Sequence, residues 1–309
     1  MNKTLTALCL FLLTALAPAP AFAAPIAVTV SIPPQKYFVE RIGGSDVAVT
    51  VMVAAGRDPH SYEPTAAQMR NISGAELYFA IGVPFESQWV PKFAALSPAM
   101  RVVPLLEAVE RITGKPDLAL RDTLPGKGRH GHHGHGHDHG LESDDPHVWL
   151  SPEAVARTVP LMVAALSAAR PDRAEAFQKR GEALGAEIAA LEAELRKLFA
   201  PLHGRAFLTF HQSWAYYAKN FGLREVSVEL EGREPGPKSM AMLMDFAAKS
   251  NARVIVADAM TARAAVESIA KGIHGDVVTT NPLEENWPLF MREFSGQLAA
   301  ALKKTGAKP

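Results

Sequence analysis

Short β-branched runs alternate along the chain with segments whose apolar residues recur every three or four positions. Residues 26–32 (IAVTVSI), 47–53 (VAVTVMV) and 77–81 (LYFAI) alternate or run apolar as buried strands do. Between them, 34–42 and 64–73 have helical spacing with proline at or near the first turn. The same order returns after residue 200, where 206–210, 225–229, 253–257 and 276–279 read as strands and 214–221, 237–250, 262–272 and 287–303 as helices. Such alternation predicts an α/β fold: two β/α lobes with mainly parallel sheets covered by helices. Between the lobes, 171–199 is dominated by Ala, Glu, Leu, Lys and Arg, with Phe177, Leu184, Ile188, Leu191, Leu195 and Leu198 at three-, four- and seven-residue spacings. This predicts one rigid helix on the order of 40 Å long, joining the lobes. Its heptad pattern lasts too few turns for a coiled-coil arm, which favours a monomer. The expected division is 1–24 leader, 25–165 first lobe, 170–200 linking helix and 201–309 second lobe, with a histidine-rich loop at 126–145. A cleft between lobes joined by a stiff helix closes little and suits a small ligand such as an ion.

The first residues change the picture of where the chain works. Lys3, the apolar stretch 5–16 and Ala21-Phe22-Ala23 form the three parts of a secretory signal cleaved after Ala23 or Ala24, which places the mature protein in the periplasm. The only cysteine, Cys9, lies inside that leader and follows Leu8, where a lipoprotein signal would carry a small residue. The mature chain is therefore without disulfides, thiolate metal sites or a cysteine nucleophile. Lys plus Arg and Asp plus Glu each number 32, and this balance argues against nucleic acid or an anionic membrane as main partner.

Histidine supplies the candidate chemistry. His130, His132, His133, His135, His137 and His139 fall within ten residues, spaced by glycines. On so flexible a tether they form a labile metal-binding tract for ions of the zinc, copper or nickel kind. Three other histidines stand in rigid contexts: His60 in DPHSYEP, His147 in DPHVW and His211 after the strand FLTF. All three belong at strand ends or loops facing an interlobe crevice, where open α/β sheets bind ligands. The prolines fix the backbone before two of them, and nearby carboxylates and aromatic rings can orient and dry the site. Three imidazoles with an open fourth position suit tetrahedral Zn²⁺, whereas Mn²⁺ prefers more carboxylate oxygen. His203 and His274, in Gly-containing turns, are expected to be ordinary surface residues.

The segments DPHSYEPT, DPHVWLSP, FHQSWAYYAKNFGL and EGREPGPK, with the acidic stretch before the second, resemble the zinc-binding periplasmic components of ABC importers, the ZnuA-like family. The resemblance covers essentially the whole mature chain. It implies two β/α lobes bridged by a long helix and a cleft in which His60, His147 and His211 bind Zn²⁺ as the transported ligand. It also implies delivery to a membrane permease driven by a cytoplasmic ATPase, with the histidine loop as an auxiliary collector, a sensor or a docking site for a periplasmic zinc chaperone. Relatives that carry manganese have a carboxylate where this chain has His211. Many members offer an aspartate where this chain has Asn281, so water, Asn281 or a nearby acid remains as fourth donor. The disulfide of some relatives cannot form here, which leaves packing alone to hold the lobes.

Three other readings stay open. The chain binds a different divalent metal, Mn²⁺ or Ni²⁺, it is a secreted metal buffer or adhesin that shares the scaffold, or it is a secreted zinc hydrolase, since three histidines and a water also make a catalytic site. Against the hydrolase, there is no H-E-x-x-H, and Tyr62 and Glu63 are the only candidate acid–base groups beside His60.

Overall fold

In a computed structural model of the chain, the described residues are 24–54, 56–114, 118–119, 143–229, 237–258 and 263–306. Residues 1–23 of the expected leader and the histidine tract 130–139 lie outside them. The first half runs β1 (Ile26–Val30), α1 (Pro33–Gly43), β2 (Val47–Val51), α2 (Ala66–Ile72), β3 (Leu77–Ala80), α3 (Pro84–Leu96) and β4 (Arg101–Pro104). Its parallel sheet has the order β2-β1-β3-β4. Three two-residue strands follow, β5 (Thr113–Gly114), β6 (Leu118–Ala119) and β7 (Ser143–Asp144), of which β5 and β7 pair antiparallel. After α4 (Pro152–Ala169) and α5 (Ala174–Phe199) comes the second half: β8 (Ala206–Thr209), α6 (Ala215–Phe221), β9 (Arg224–Glu229), α7 (Pro237–Ser250), β10 (Val254–Asp258), α8 (Arg263–Gly272), β11 (Asp276–Thr280) and α9 (Trp287–Gly306).

The second sheet is also parallel, in the order β11-β10-β8-β9-β6. Its edge strand β6 comes from the first half of the chain and pairs Leu118 with Val228. The two-lobed α/β fold is as the periodicity predicts. Helices α3 and α4 escape that reading because each carries an internal proline, Pro91 and Pro160, which in a sequence marks a break.

Local signals explain most helix ends. Pro33 and Pro34 occupy the first turn of α1, where a missing N–H costs nothing. Thr65 caps α2 by accepting the Gln68 N–H, and Gln68 answers at the Thr65 backbone N–H, a reciprocal capping box. Gly222 ends α6 at φ 66, and a Cβ there would meet the His203 ring at 2.4 Å. His203 is thus a packing neighbour of a turn, as its sequence context predicts.

The linking helix α5 buries Phe177, Gly181, Leu184, Ile188, Leu191, Leu195 and Phe199, one stripe at three- and four-residue steps. The stripe ends on Phe199 where the spacing predicts Leu198, which is only half-buried. One continuous apolar cluster includes Val28, Val30 and Phe79 of the first sheet, the α5 stripe, Phe207 and Val256 of the second sheet, and Trp287, Phe294 and Leu298 of α9. Each such side chain contributes about 1.5–3 kcal/mol on burial. A second, smaller cluster around Leu208, Leu243, Ile255 and Ile269 packs α7 and α8 on the second sheet. The lobes therefore share a core, and α5 is welded along both.

Further bonds cross the same joint. Trp287 Nε1 donates to the Trp149 carbonyl at 2.6 Å, Trp149 Nε1 donates to the Pro282 carbonyl at 2.9 Å, and Lys36 Nζ lies 2.5 Å from Glu285 Oε1. Phe38 of α1 meets the Trp287 ring edge-on at 5.1 Å.

Beneath the first lobe's strand ends, the buried Glu86 carboxylate accepts the N–H groups of Ile81 (2.9 Å) and Gly82 (2.8 Å) and the Ser31 hydroxyl, which also meets Tyr78 Oη at 2.7 Å. Burial outweighs these bonds and pushes the carboxyl up to about 7 from 4.5. The folded chain thus holds a proton that the unfolded chain releases near 4.5, so Glu86's contribution is full below that value and is lost as pH rises through about 7. Glu86→Gln lacks this titration. Its urea midpoint is expected to gain on the parent's steadily between about pH 5 and pH 8. A constant gap would show that the carboxyl is solvated.

Candidate metal centre

The two D-P-H segments fold into the same turn. In each, the aspartate Oδ1 accepts the backbone N–H of the histidine two residues on, at 2.8 Å for Asp58 and His60 and 2.9 Å for Asp145 and His147. The intervening proline sets φ, so the pair forms a stiff Asx turn that aims an imidazole. The turns differ in what else the carboxylate does. Asp58 Oδ2 accepts the Ser61 hydroxyl at 2.9 Å, whereas Asp145 Oδ1 also lies 2.7 Å from His147 Nδ1. The carboxylate accepts the Nδ1 proton, which leaves the lone pair on Nε2 and raises its basicity.

Each ligand loop is tied to its lobe. Gln68 accepts the Tyr62 hydroxyl at 2.6 Å and donates to the Met52 carbonyl at 2.6 Å, bracing the chain after His60. The Asp145 N–H donates to the Ile112 carbonyl at 2.8 Å, while the Ile112 N–H donates to Tyr216 Oη at 3.0 Å. The Trp149 ring stands 5.0 Å from the His147 ring and walls it off. His211 follows the end of β8 on the opposite lobe.

The three imidazoles meet in the crevice. His211 Nε2 and His60 Nε2 are 3.1 Å apart, and one ligand nitrogen from each of His60, His147 and His211 lies within 4.8 Å of the others. Tetrahedral Zn²⁺ with bonds of about 2.05 Å needs nitrogens about 3.3 Å apart. One pair already has that spacing, and the third closes by at most about 1.5 Å. The donor set is chemically apt as well: Asp145 Oδ2 is buried with no hydrogen-bond partner, so an unpartnered carboxylate oxygen stands behind the His147 ring. A cation in front of it offsets that cost.

Among the described residues no Asp, Glu or Cys joins this group. Asn281 Oδ1 accepts the Leu283 N–H at 3.2 Å and its amide nitrogen donates to Glu284 at 3.4 Å, so its side chain is committed to the turn after β11. His274 sits in a turn at φ 50 and His203 against Gly222, both apart from the trio. Sequence reasoning misses the Trp149–Pro282 bond, for which no local signal exists. It also misses the bracing by Gln68, for which the T-x-x-Q pattern at Thr65 is a readable sign.

His211 is exposed as a residue, yet its ring stands beside two other imidazoles, and burial followed by repulsion from His147 and His60 lowers it to about 3 from 6.5. Unfolded, it takes a proton near 6.5; folded, it resists until about 3, so its contribution is present above 6.5 and drains as pH falls. The difference in urea midpoint between the metal-free parent and His211→Gln is expected to move against the parent between about pH 7.5 and pH 5. A difference independent of pH would mean that the ring is freely hydrated.

A family model described as the periplasmic component A of zinc-uptake complexes, ZnuA, matches residues 28–301. The zinc-binding lipoprotein AdcA of Streptococcus pneumoniae serotype 4 is 29% identical over 262 residues, 81% of this chain but only 48% of AdcA, so the chain spans about half that relative's length. The high-affinity zinc uptake system protein ZnuA of Bacillus subtilis is 26% identical over 261 residues, 81% of this chain and 76% of that protein. A crystal structure of an internally deleted ZnuA with zinc bound superimposes with a TM-score of 0.75 at 32% identity, covering 92% of this chain and 100% of that one. With a shared fold, a family match across nearly all the described residues and a histidine trio in the crevice, the chain belongs to the ZnuA family of periplasmic zinc-uptake components.

Proposed function

We propose that this chain is the solute-binding component of a zinc importer: it captures Zn²⁺ in the interlobe cleft through His60, His147 and His211 and delivers it to a membrane permease driven by a cytoplasmic ATPase. The observation that carries the reading is the convergence of three imidazoles from both lobes within 4.8 Å, one of them backed by a buried carboxylate. Water completes the sphere, because Asn281 is engaged in its own turn. Nitrogen donors favour zinc over manganese. The relatives named for zinc support the same ion. Binding rather than catalysis fits the site: Glu63 is exposed and stands outside the trio.

The leader at 1–24 would direct the chain to the periplasm as a monomer, and no helix among the described residues is long and apolar enough to cross a membrane. The lobes at 25–165 and 201–309, bridged by 170–200, would present their loop-bearing faces to the permease. His130, His132, His133, His135, His137 and His139 serve as a labile annex that gathers zinc, or receives it from a periplasmic chaperone, ahead of His147.

Calorimetric titration of the mature chain with Zn²⁺ tests the assignment. Deletion of 130–139 is expected to leave one tight site and remove weaker ones, while His60→Ala, His147→Ala or His211→Ala sharply weakens the tight site. Loss of the tight site in the deletion would make the loop primary. His211→Glu is expected to shift preference toward Mn²⁺ in competition with Zn²⁺. Full retention of zinc preference in that variant would refute the donor-set argument.

A further inference from the structure

His211 lacks the aspartate turn that aims the other two ligands, yet its segment is held just as firmly by a residue of the neighbouring strand. Glu225 lies on β9, paired in register with Phe207 of β8. One of its oxygens, Oε1, accepts the Thr209 hydroxyl at 2.8 Å and the Ser213 N–H at 3.1 Å, and the other, Oε2, accepts the Trp214 N–H at 3.1 Å. Those donors bracket His211 on both sides. The Ser213 hydroxyl closes the arc by donating to the His211 carbonyl at 3.3 Å.

The arrangement repeats that of Glu86 in the other lobe, where one carboxylate also grips two consecutive backbone N–H groups and one hydroxyl from a neighbouring strand end. The difference is what each grips: Glu86 fastens 81–82 and Ser31, none of which carries a ligand, whereas Glu225 fastens the ligand segment itself. Burial raises the Glu225 carboxyl to about 7. A group this costly to enclose is poorly accounted for by packing, which an apolar side chain would serve better.

We propose that Glu225 is a positioning residue of the metal centre: by clamping the Ser213 and Trp214 N–H groups it fixes the arc that presents His211, and thereby sets how tightly and how long zinc is held. This rests on the assignment of His211 as a zinc ligand. The carboxylate does for the second lobe what Asp58 and Asp145 do for the first, but from an adjacent strand rather than from within the ligand's own turn. Glu225→Gln keeps an acceptor for Ser213 and Thr209 and turns an amide toward the Trp214 N–H, so the clamp loosens while side-chain volume is retained.

The test is a double-mutant cycle on the full mature chain, with Zn²⁺ affinity read by competition with a chromophoric chelator and dissociation by stopped flow. Glu225→Gln is expected to weaken binding about ten- to a hundredfold, with faster release, and to have almost no effect in a His211→Ala background. Glu86→Gln, the matched change in the other lobe, is expected to keep the parent affinity. If Glu225→Gln should fold poorly, Thr209→Val, which removes one bond from the same carboxylate, takes its place in the cycle. Parent-like affinity in His211→Ala would overturn the ligand assignment itself. Weakened binding in His211→Ala together with parent-like affinity in Glu225→Gln would overturn the positioning role alone. So would an equal loss from Glu225→Gln with and without His211, or an equal loss from Glu86→Gln.

Discussion

The metal centre depends on a joint that does not give. Two of its candidate ligands, His60 and His147, come from the first lobe and one, His211, from the second, so their spacing is only as exact as the packing between the lobes. That packing is a single apolar cluster running from the first sheet through the α5 stripe to α9 and the second sheet. Interiors packed to this density deform little, and the surface ion pairs along the joint, such as Arg292 with Glu194, add little to it. A chain without disulfides achieves by burial what a covalent bridge would otherwise supply.

On this frame, local turns do the aiming. The two D-P-H turns commit their aspartates to backbone N–H groups within the fold, so the ordering cost of the loops that carry His60 and His147 falls on folding. Trp149 links the two scales: its ring walls His147, its indole N–H holds the Pro282 carbonyl beyond β11, and its own carbonyl accepts the Trp287 indole N–H from α9. One residue thus ties the His147 turn in one lobe to the strand ends and α9 of the other.

Much of this was legible in the sequence where the signals were local. Alternating and helical periods marked β1 to β3, β8 to β11 and the linking helix, but not β4 to β7, and the repeated D-P-H marked His60 and His147 as candidates because chance packing seldom produces the same rigid turn twice. His211 was legible from its place at the end of FLTF, as ligands of open parallel sheets stand at carboxyl ends. What stayed hidden was non-local or locally contradictory. Pro91 and Pro160 disguise α3 and α4, β6 crosses to the other lobe's sheet as only two residues, and the partners of Trp149 and the isolation of Asp145 Oδ2 are set by tertiary placement that no window of sequence contains.

The 3.1 Å approach of His60 Nε2 to His211 Nε2 carries a consequence for recognition. The two nitrogens come from opposite lobes, and an interlobe core that deforms little fixes the gap between them. The aperture is thus set by the frame rather than by the ion: a cation with bonds of about 2.05 Å fits it, while one that needs its donors farther apart must strain the whole joint.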